Sequence, residues 1–361
     1  KNRYLLDSVE LSSLSEVDLE LLENRLDYYH QAETDTARIS ALYDISNKMR
    51  HEIWEKYQFL QLELLEKAMV NDMDQGKQDY YVSTLGGTYN NIGYIYKTRG
   101  SMSQSLQYYQ KALPLREQVN DSSGIGSTYI NIGVIHDDLG NWDLAMEYNL
   151  KAIEICEKCG DLETAAYGYN NVGNLYRAKK NFHEALKWMR KALKTHQDAN
   201  YEYGIGQAYA NVGYIFNQLN KPDSAVLYYL DSWQIQERLG DLEGLCYTAT
   251  NLGHLALAQD DLASARIYSR KSLEVAEKVN FTQAFKVAYE LSRDVAVKEN
   301  NWKLAYKMNQ LAVKMSDSIY SDQSIQETAT LEAEFLYRQQ SMADSIEHAK
   351  EIEVHAAQND A

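Results

Sequence analysis

The stretch that decides the fold is YNNVGNLYRAKK, Tyr169–Lys180. It recurs as YNNIGYIYKTRG (Tyr89–Gly100), YINIGVIHDDLG (Tyr129–Gly140) and YANVGYIFNQLN (Tyr209–Asn220), each copy 40 residues after the last. ATNLGHLALAQD (Ala249–Asp260) keeps the same register. Apolar residues stand at helical spacing within each copy, as in Tyr169, Val172 and Tyr176. A period of this length points to stacked supersecondary units, not to separate globular domains. A glycine recurs at Gly93, Gly133, Gly173, Gly213 and Gly253. Glycine inside a helix costs about 1 kcal/mol relative to alanine, so the column requires a steric cause. Close approach of a second helix supplies one.

That second helix follows a turn at Gly100, Gly140, Lys180, Asn220 and Asp260. It carries small residues at Ser105, Ala145, Ala185, Ala225 and Ala265, and again seven positions on at Ala112, Ala152, Ala192, Ser232 and Ser272. Tyr109, Met189 and Tyr229 stand between the two columns. The second helices should end at Asn120, Gly160, Asn200, Gly240 and Asn280, because Gly and Asn enter the left-handed region at least cost. Pro222 fits the first turn of its helix, where a missing N–H is harmless.

Composition agrees with a long helical array. The chain has 361 residues, only 2 of them Pro, with 29 Tyr and 18 Gly. Its 36 Lys+Arg against 52 Asp+Glu give a net charge of −16, which disfavours nucleic acid and anionic membrane surfaces as partners. No apolar run in the sequence is long enough to span a bilayer.

The aromatic–x–x–[Ile/Val/Leu]–Gly–x–x–aromatic spacing, followed by paired small residues, resembles the tetratricopeptide repeat. The longer period is similar to the subclass of kinesin light chains and bacterial peptide-sensing regulators. The resemblance implies an all-α fold, a right-handed superhelix (an alpha-alpha solenoid) of about seven helix pairs. The organisation expected is an N-terminal helix over 1–34, a degenerate first repeat over 35–76, six helix pairs over 77–320, and a long C-terminal helix over 321–361. In the sixth pair, either Leu291-Ser292 falls one residue out of register or Arg293 replaces the glycine.

The C-terminal segment leaves two readings open: a coiled-coil seam through Leu331, Phe335, Met342, Ala349, Ile352 and Ala356, interrupted by Arg338 and Ser345, or a capping helix. The seam would pair the chain as a homodimer. The style of ADSIEHAKE, Ala343–Glu351, resembles the stretch that follows such repeats in Bacteroidetes-type membrane receptors, whose output is a histidine kinase, a nucleotide cyclase or a DNA-binding regulator. That resemblance, with a chain starting at Lys1, implies a processed extracytoplasmic (periplasmic) sensor that meets the membrane only through a segment outside this sequence. A cytoplasmic adaptor, or the regulatory array of an enzyme whose catalytic module lies elsewhere, are the alternatives.

No catalytic constellation emerges, and neither a cofactor nor a metal is expected. Cys156-x-x-Cys159 lies late in a second helix, away from the N-terminal end that stabilises a thiolate. The repeat places Cys159 with Val119, Leu239 and Val279 in what reads as a core column. Cys156 falls with Arg116, His196 and Gln236 in a polar one, and Cys246 with the small residues Gly126, Ala166 and Gly206. His136 falls in the aromatic column of Tyr96, Tyr176 and Phe216, as a packed substitute for a ring. The Gly-Ile-Gly pieces at Gly124–Gly126 and Gly204–Gly206 lack the Lys-Ser/Thr of a phosphate loop and read as packing glycines.

One column remains: Asn91, Asn131, Asn171, Asn211 and Asn251, two residues before each glycine. Asparagine is a mediocre helix former. In the resembled family, an Asn at this place faces the groove and holds the backbone of an extended peptide. Bonding to the neighbouring repeat is the structural alternative. Tyr94, Asn174, Arg177, Tyr214, Asn217 and His254 share the polar face and complete the candidate groove for a peptide or protein segment.

Overall fold

The computed structural model describes residues 14–49, 53–69, 74–279 and 282–319. The C-terminal seam and its dimer lie outside the described residues, as do Asn280 and Lys1. Fifteen helices, and no strand, occur among the described residues. After a leading helix α1 (Glu16–Gln31), they run in pairs: α2 (Asp35–Lys48) with α3 (Trp54–Ala68), α4 (Gln75–Thr98) with α5 (Met102–Gln118), and α6 (Ser122–Asp138) with α7 (Trp142–Cys159). Four more pairs follow: α8 (Leu162–Ala178) with α9 (Phe182–Asp198), α10 (Glu202–Gln218) with α11 (Pro222–Leu239), α12 (Leu242–Ala258) with α13 (Leu262–Val279), and α14 (Thr282–Lys298) with α15 (Trp302–Ile319). The architecture is an alpha-alpha solenoid.

Two compact units divide the chain within α6, after Asn131. In the first, Leu22 and Leu26 of α1 pack with Leu42 and Ile45 of α2 and Tyr57 of α3. A second cluster joins Ile39, Leu65, Tyr81 and Leu85. In the second unit, Ala185, Met189, Val212, Ile215, Ala225, Tyr229, Leu252 and Leu255 form one continuous core.

The connections follow a strict rule. Left-handed backbone occurs at Gly100, Asn120, Gly140, Gly160, Lys180, Asn200, Asn220, Gly240, Asp260 and Asn300. Each closes the preceding helix, and the next residue's N–H returns to a carbonyl five positions back, as in Asn181 N to Tyr176 O at 2.9 Å. That is the Schellman arrangement. The residue after it is often the cap of the next helix: Asp161 Oδ1 accepts from Thr164 N at 3.0 Å, and Asp241 Oδ1 from Gly244 N at 2.9 Å. One left-handed residue and one capping residue thus make the whole connection. Pro222 opens α11 in its first turn, where the sequence placed it.

The glycine column does have a steric cause. A Cβ on Gly93 would lie 2.6 Å from Tyr109, on Gly133 2.5 Å from Asn149, on Gly173 2.7 Å from Met189, and on Gly213 3.0 Å from Tyr229. These obstacles are one column of the second helices. Stacked rings support the same hairpins: Tyr96 on Tyr108 at 5.4 Å, His136 on Tyr148 at 5.5 Å and Phe216 on Tyr228 at 5.2 Å. His136 therefore does the work of an aromatic ring.

The two cysteine columns come out inverted. Cys156 is fully buried, with its thiol pushed up to about 12 by burial and then by the charge of Asp161, whereas Cys159 is exposed. Cys156 follows Ala152 by one helical turn on the buried face. Its column mates Arg116, His196 and Gln236 are buried as well. The position is where a second helix meets the start of the next first helix. Polar residues there serve the junction: Thr248 donates to Gln236 Oε1 at 2.8 Å, for instance.

Candidate open-face site on the first helices

On each first helix the small and apolar positions turn inward, leaving one less buried stripe. In α8 it runs through Glu163, Tyr167, Asn170, Asn171, Asn174 and Arg177. The spacing of three and four residues follows from the helical period.

The asparagine column lies on this stripe, and its amide nitrogens are committed to the preceding repeat. In the first unit, Asn91 Nδ2 donates to Gln58 Oε1 at 3.2 Å and Asn131 Nδ2 to Asn90 Oδ1 at 3.2 Å. In the second, Asn171 Nδ2 donates to Asn149 Oδ1 at 3.0 Å and Asn211 Nδ2 to Asn170 Oδ1 at 2.8 Å. The acceptor changes with the sequence. Where the first-helix residue is Asn90 or Asn170 it accepts; where that place holds Ile130, Asn149 of the second helix substitutes. Behind Asn251 those places hold Ala210 and Tyr229, and Asn251 has no hydrogen-bond partner among the described residues.

The other candidates fall into place around this ladder. Tyr94, in the first unit, is 48% exposed. In the second, the Arg177 guanidinium lies 5.1 Å from the centre of the Tyr214 ring and makes no ion pair among the described residues. Burial, then the charge of Asp138, pushes the Asp137 carboxyl up, with Arg177 opposing. Asn174 Oδ1 is buried and unpartnered. His254 Nδ1 stands 3.9 Å from Asp294 Oδ2; burial lowers its pKa, opposed by Asp294 and Glu290. Asn217 is partly exposed. Asn171, Asn174, Arg177, Asn211, Tyr214, Asn217, Asn251 and His254 thus share the open face of one unit.

This face offers fixed acceptors, π faces and single charges, and no grouping of His, Cys, Asp or Glu among the described residues could hold a metal ion. Nor is any described helix long and apolar enough to cross a membrane. The sequence reading missed the buried junction column of Arg116, His196 and Gln236. The signal was present: Gly124, Gly204 and Gly244 mark where those side chains press, a Cβ on Gly204 falling 2.5 Å from His196 Nδ1.

Comparison with known proteins agrees with this geometry. The tetratricopeptide repeat profile matches residues 84–158 and 164–238, so these helix pairs are tetratricopeptide repeats. No curated protein matches the chain significantly by sequence. Among solved structures, a Rap protein complexed with Competence and Sporulation Factor is similar at a TM-score of 0.57 and 14% identity, over 84% of this chain and 93% of that one. The Rap conjugation gene regulator of plasmid pLS20, in complex with the Phr* peptide, is similar at 0.52 and 17%, over 89% and 96%. A signal transduction ATPase with numerous domains and a tetratricopeptide repeat sensor, from Pyrococcus horikoshii, is similar at 0.56 and 17%, over 87% of this chain and 47% of that one. At such identities the likeness is one of fold.

Proposed function

We propose that the open face of the first helices binds an extended peptide or protein segment without catalysing its conversion. The observation that carries this is the asparagine column. Each anchored amide spends its N–H on the preceding repeat, and no donor among the described residues reaches its Oδ1 in Asn171 or Asn211. The carbonyls are therefore held in one orientation before any ligand arrives, which lowers the entropic cost of binding. Neighbouring packed helices lie about 8–10 Å apart, roughly three residues of extended chain at 3.3 Å each. Such a chain meets one acceptor per repeat with its own N–H groups, whatever its side chains. Two of the similar folds are complexes with a factor or a peptide, which supports the reading.

The role in which this recognition serves is that of a signalling sensor, extracytoplasmic in placement. The resemblance of Ala343–Glu351 to receptor stretches supports both the role and the placement; the sensor array of the Pyrococcus horikoshii ATPase supports the role alone. The test is a peptide library screened on the purified chain, followed by Asn171, Asn211 and Asn251 replaced together by Ala. Each lost bond is worth about 0.5–1.5 kcal/mol, so affinity should fall at least about tenfold while the variant stays folded. Unchanged affinity in the folded variant would remove the asparagines from the site.

A further inference from the structure

Arg177, in the last turn of α8, is partly buried, and its guanidinium makes no ion pair and no hydrogen bond among the described residues. A cation in that turn favours the helix dipole, which does not account for where this one goes. It crosses to the next repeat and lies 5.1 Å from the centre of the Tyr214 ring. Tyr214 is itself held, packed against the core that contains Val212, Ile215 and Tyr229. Tyr229, 1% exposed on α11, feels the same cation: burial and then Tyr214 push its hydroxyl up, and Arg177 opposes them. The guanidinium is thus fixed on a packed aromatic ring while its N–H donors stay unspent.

One turn earlier on α8, Asn174 stands on the same stripe. Its Oδ1 is buried without a partner, and its Nδ2 donates to no group among the described residues. Residues three apart on a helix are neighbours, about 5–6 Å between Cβ atoms, so the amide and the guanidinium can meet one acceptor. Asp137, on α6, is within electrostatic reach of Arg177. A carboxyl pushed up by burial and by Asp138 is a poor counter-ion, and the two form no ion pair among the described residues.

Unspent donors held on a π face, with a further donor one turn away, fit a planar acceptor of single negative charge. We propose that Arg177, oriented by Tyr214 and joined by Asn174, takes a carboxylate of the bound segment. The subsite rests on the reading of this face as a peptide-binding surface, and adds that the peptide is acidic where it crosses from α8 to α10. A phosphate dianion suits the place less, because Asp137 and Asp138 stand behind one cation. An acidic side chain and a free C-terminus carry the same chemistry, and the test separates them.

The full chain, immobilised for surface plasmon resonance, is titrated with three acetylated alanine–serine nonapeptides. One is amidated with a central Glu, one is amidated with Gln there, and one has the Gln and a free C-terminus. At least one carboxylate peptide should bind about fivefold or more tightly than the amidated Gln peptide, and the one that does so names the source. Arg177→Gln should remove that preference, and Arg177→Lys should keep only a small part of it, since an ammonium lacks the planar fork. Asn174→Ala and Tyr214→Leu should each weaken the carboxylate peptide severalfold, whereas Asp137→Asn, which takes away a like charge, should tighten it about twofold. Lys187→Gln removes the same charge from an exposed ion pair with Glu184 on α9, and should change affinity by less than about twofold. No binding of any peptide, a carboxylate preference that survives Arg177→Gln, or an equal loss in the α9 control overturns the subsite. Equal binding of the three peptides that still needs Asn171, Asn211 and Asn251 also overturns it, and leaves peptide recognition standing. A preference lost in Arg177→Gln but kept when those asparagines are replaced upholds the subsite and rejects the extended-peptide reading.

Discussion

Leu291 packs against Gly253: a Cβ on that glycine would lie 2.5 Å from Leu291 Cδ2. Leu291 stands in the sixth unit where five preceding units carry Asn, and it is fully buried. The column therefore borders the repeat behind it, and an apolar residue can occupy it when that repeat offers no acceptor. Asn251, also without an acceptor, should accept the same solution. Asn251→Leu is expected to leave stability unchanged or raise it. Asn211→Leu should cost about 1 kcal/mol, since it strips Asn170 of its donor. Urea denaturation of the two variants checks the contrast.

Gly173→Leu should destabilise by about 1–3 kcal/mol, because a side chain there meets Met189 and the Ala185 carbonyl on the facing helix. Thermal unfolding identical to that of the parent would show that the hairpin can open at no cost.

Lys180 holds a left-handed backbone with φ 57°. That conformation costs a residue with a Cβ about 1–2 kcal/mol, part of which glycine gives back as unfolded-state entropy. Lys180→Gly should therefore stabilise by roughly 0.5–1 kcal/mol. A lower denaturation midpoint would mean that the Lys side chain contributes more than its strain removes.

His196 has its pKa lowered by burial, so the unfolded chain binds more protons near pH 6 than the folded one. Stability should fall as pH drops below about 6.5, with a slope of at most about 1.4 kcal/mol per pH unit from this group. His196→Gln places there the residue that Gln236 supplies one repeat later. Denaturation at pH 7.0, 6.0 and 5.5 should show a flatter acid limb in this variant.

The helices, their pairing and the residues that end them could be read from the sequence, because each depends on local chemistry repeated many times. Lys180 and Asp260 were legible as turn residues only through their column, since neither favours the left-handed region alone. What a column faces was harder to read. Cys156 and Cys159 exchanged roles because a polar column can still be a buried one: the column of Cys156, with Arg116, His196 and Gln236, lies where one helix pair meets the next. Bonding of Asn171 and Asn211 to a neighbouring repeat was legible as one of two alternatives, but their acceptors were not. Their acceptors, Asn149 and Asn170, lie at different sequence separations, and only the packing of one helix on another decides between them.

The two-residue connection has a consequence for how such a chain can change length. Its ends are interchangeable: Gly140-Asn141 and Lys180-Asn181 present the same left-handed bend followed by a residue fit to start a helix. A segment excised between equivalent points leaves a junction that needs no repair, and a duplicated one inserts without a new loop. The array can thus be lengthened or shortened by whole modules at the level of the gene, with the open face of the first helices growing or shrinking in step.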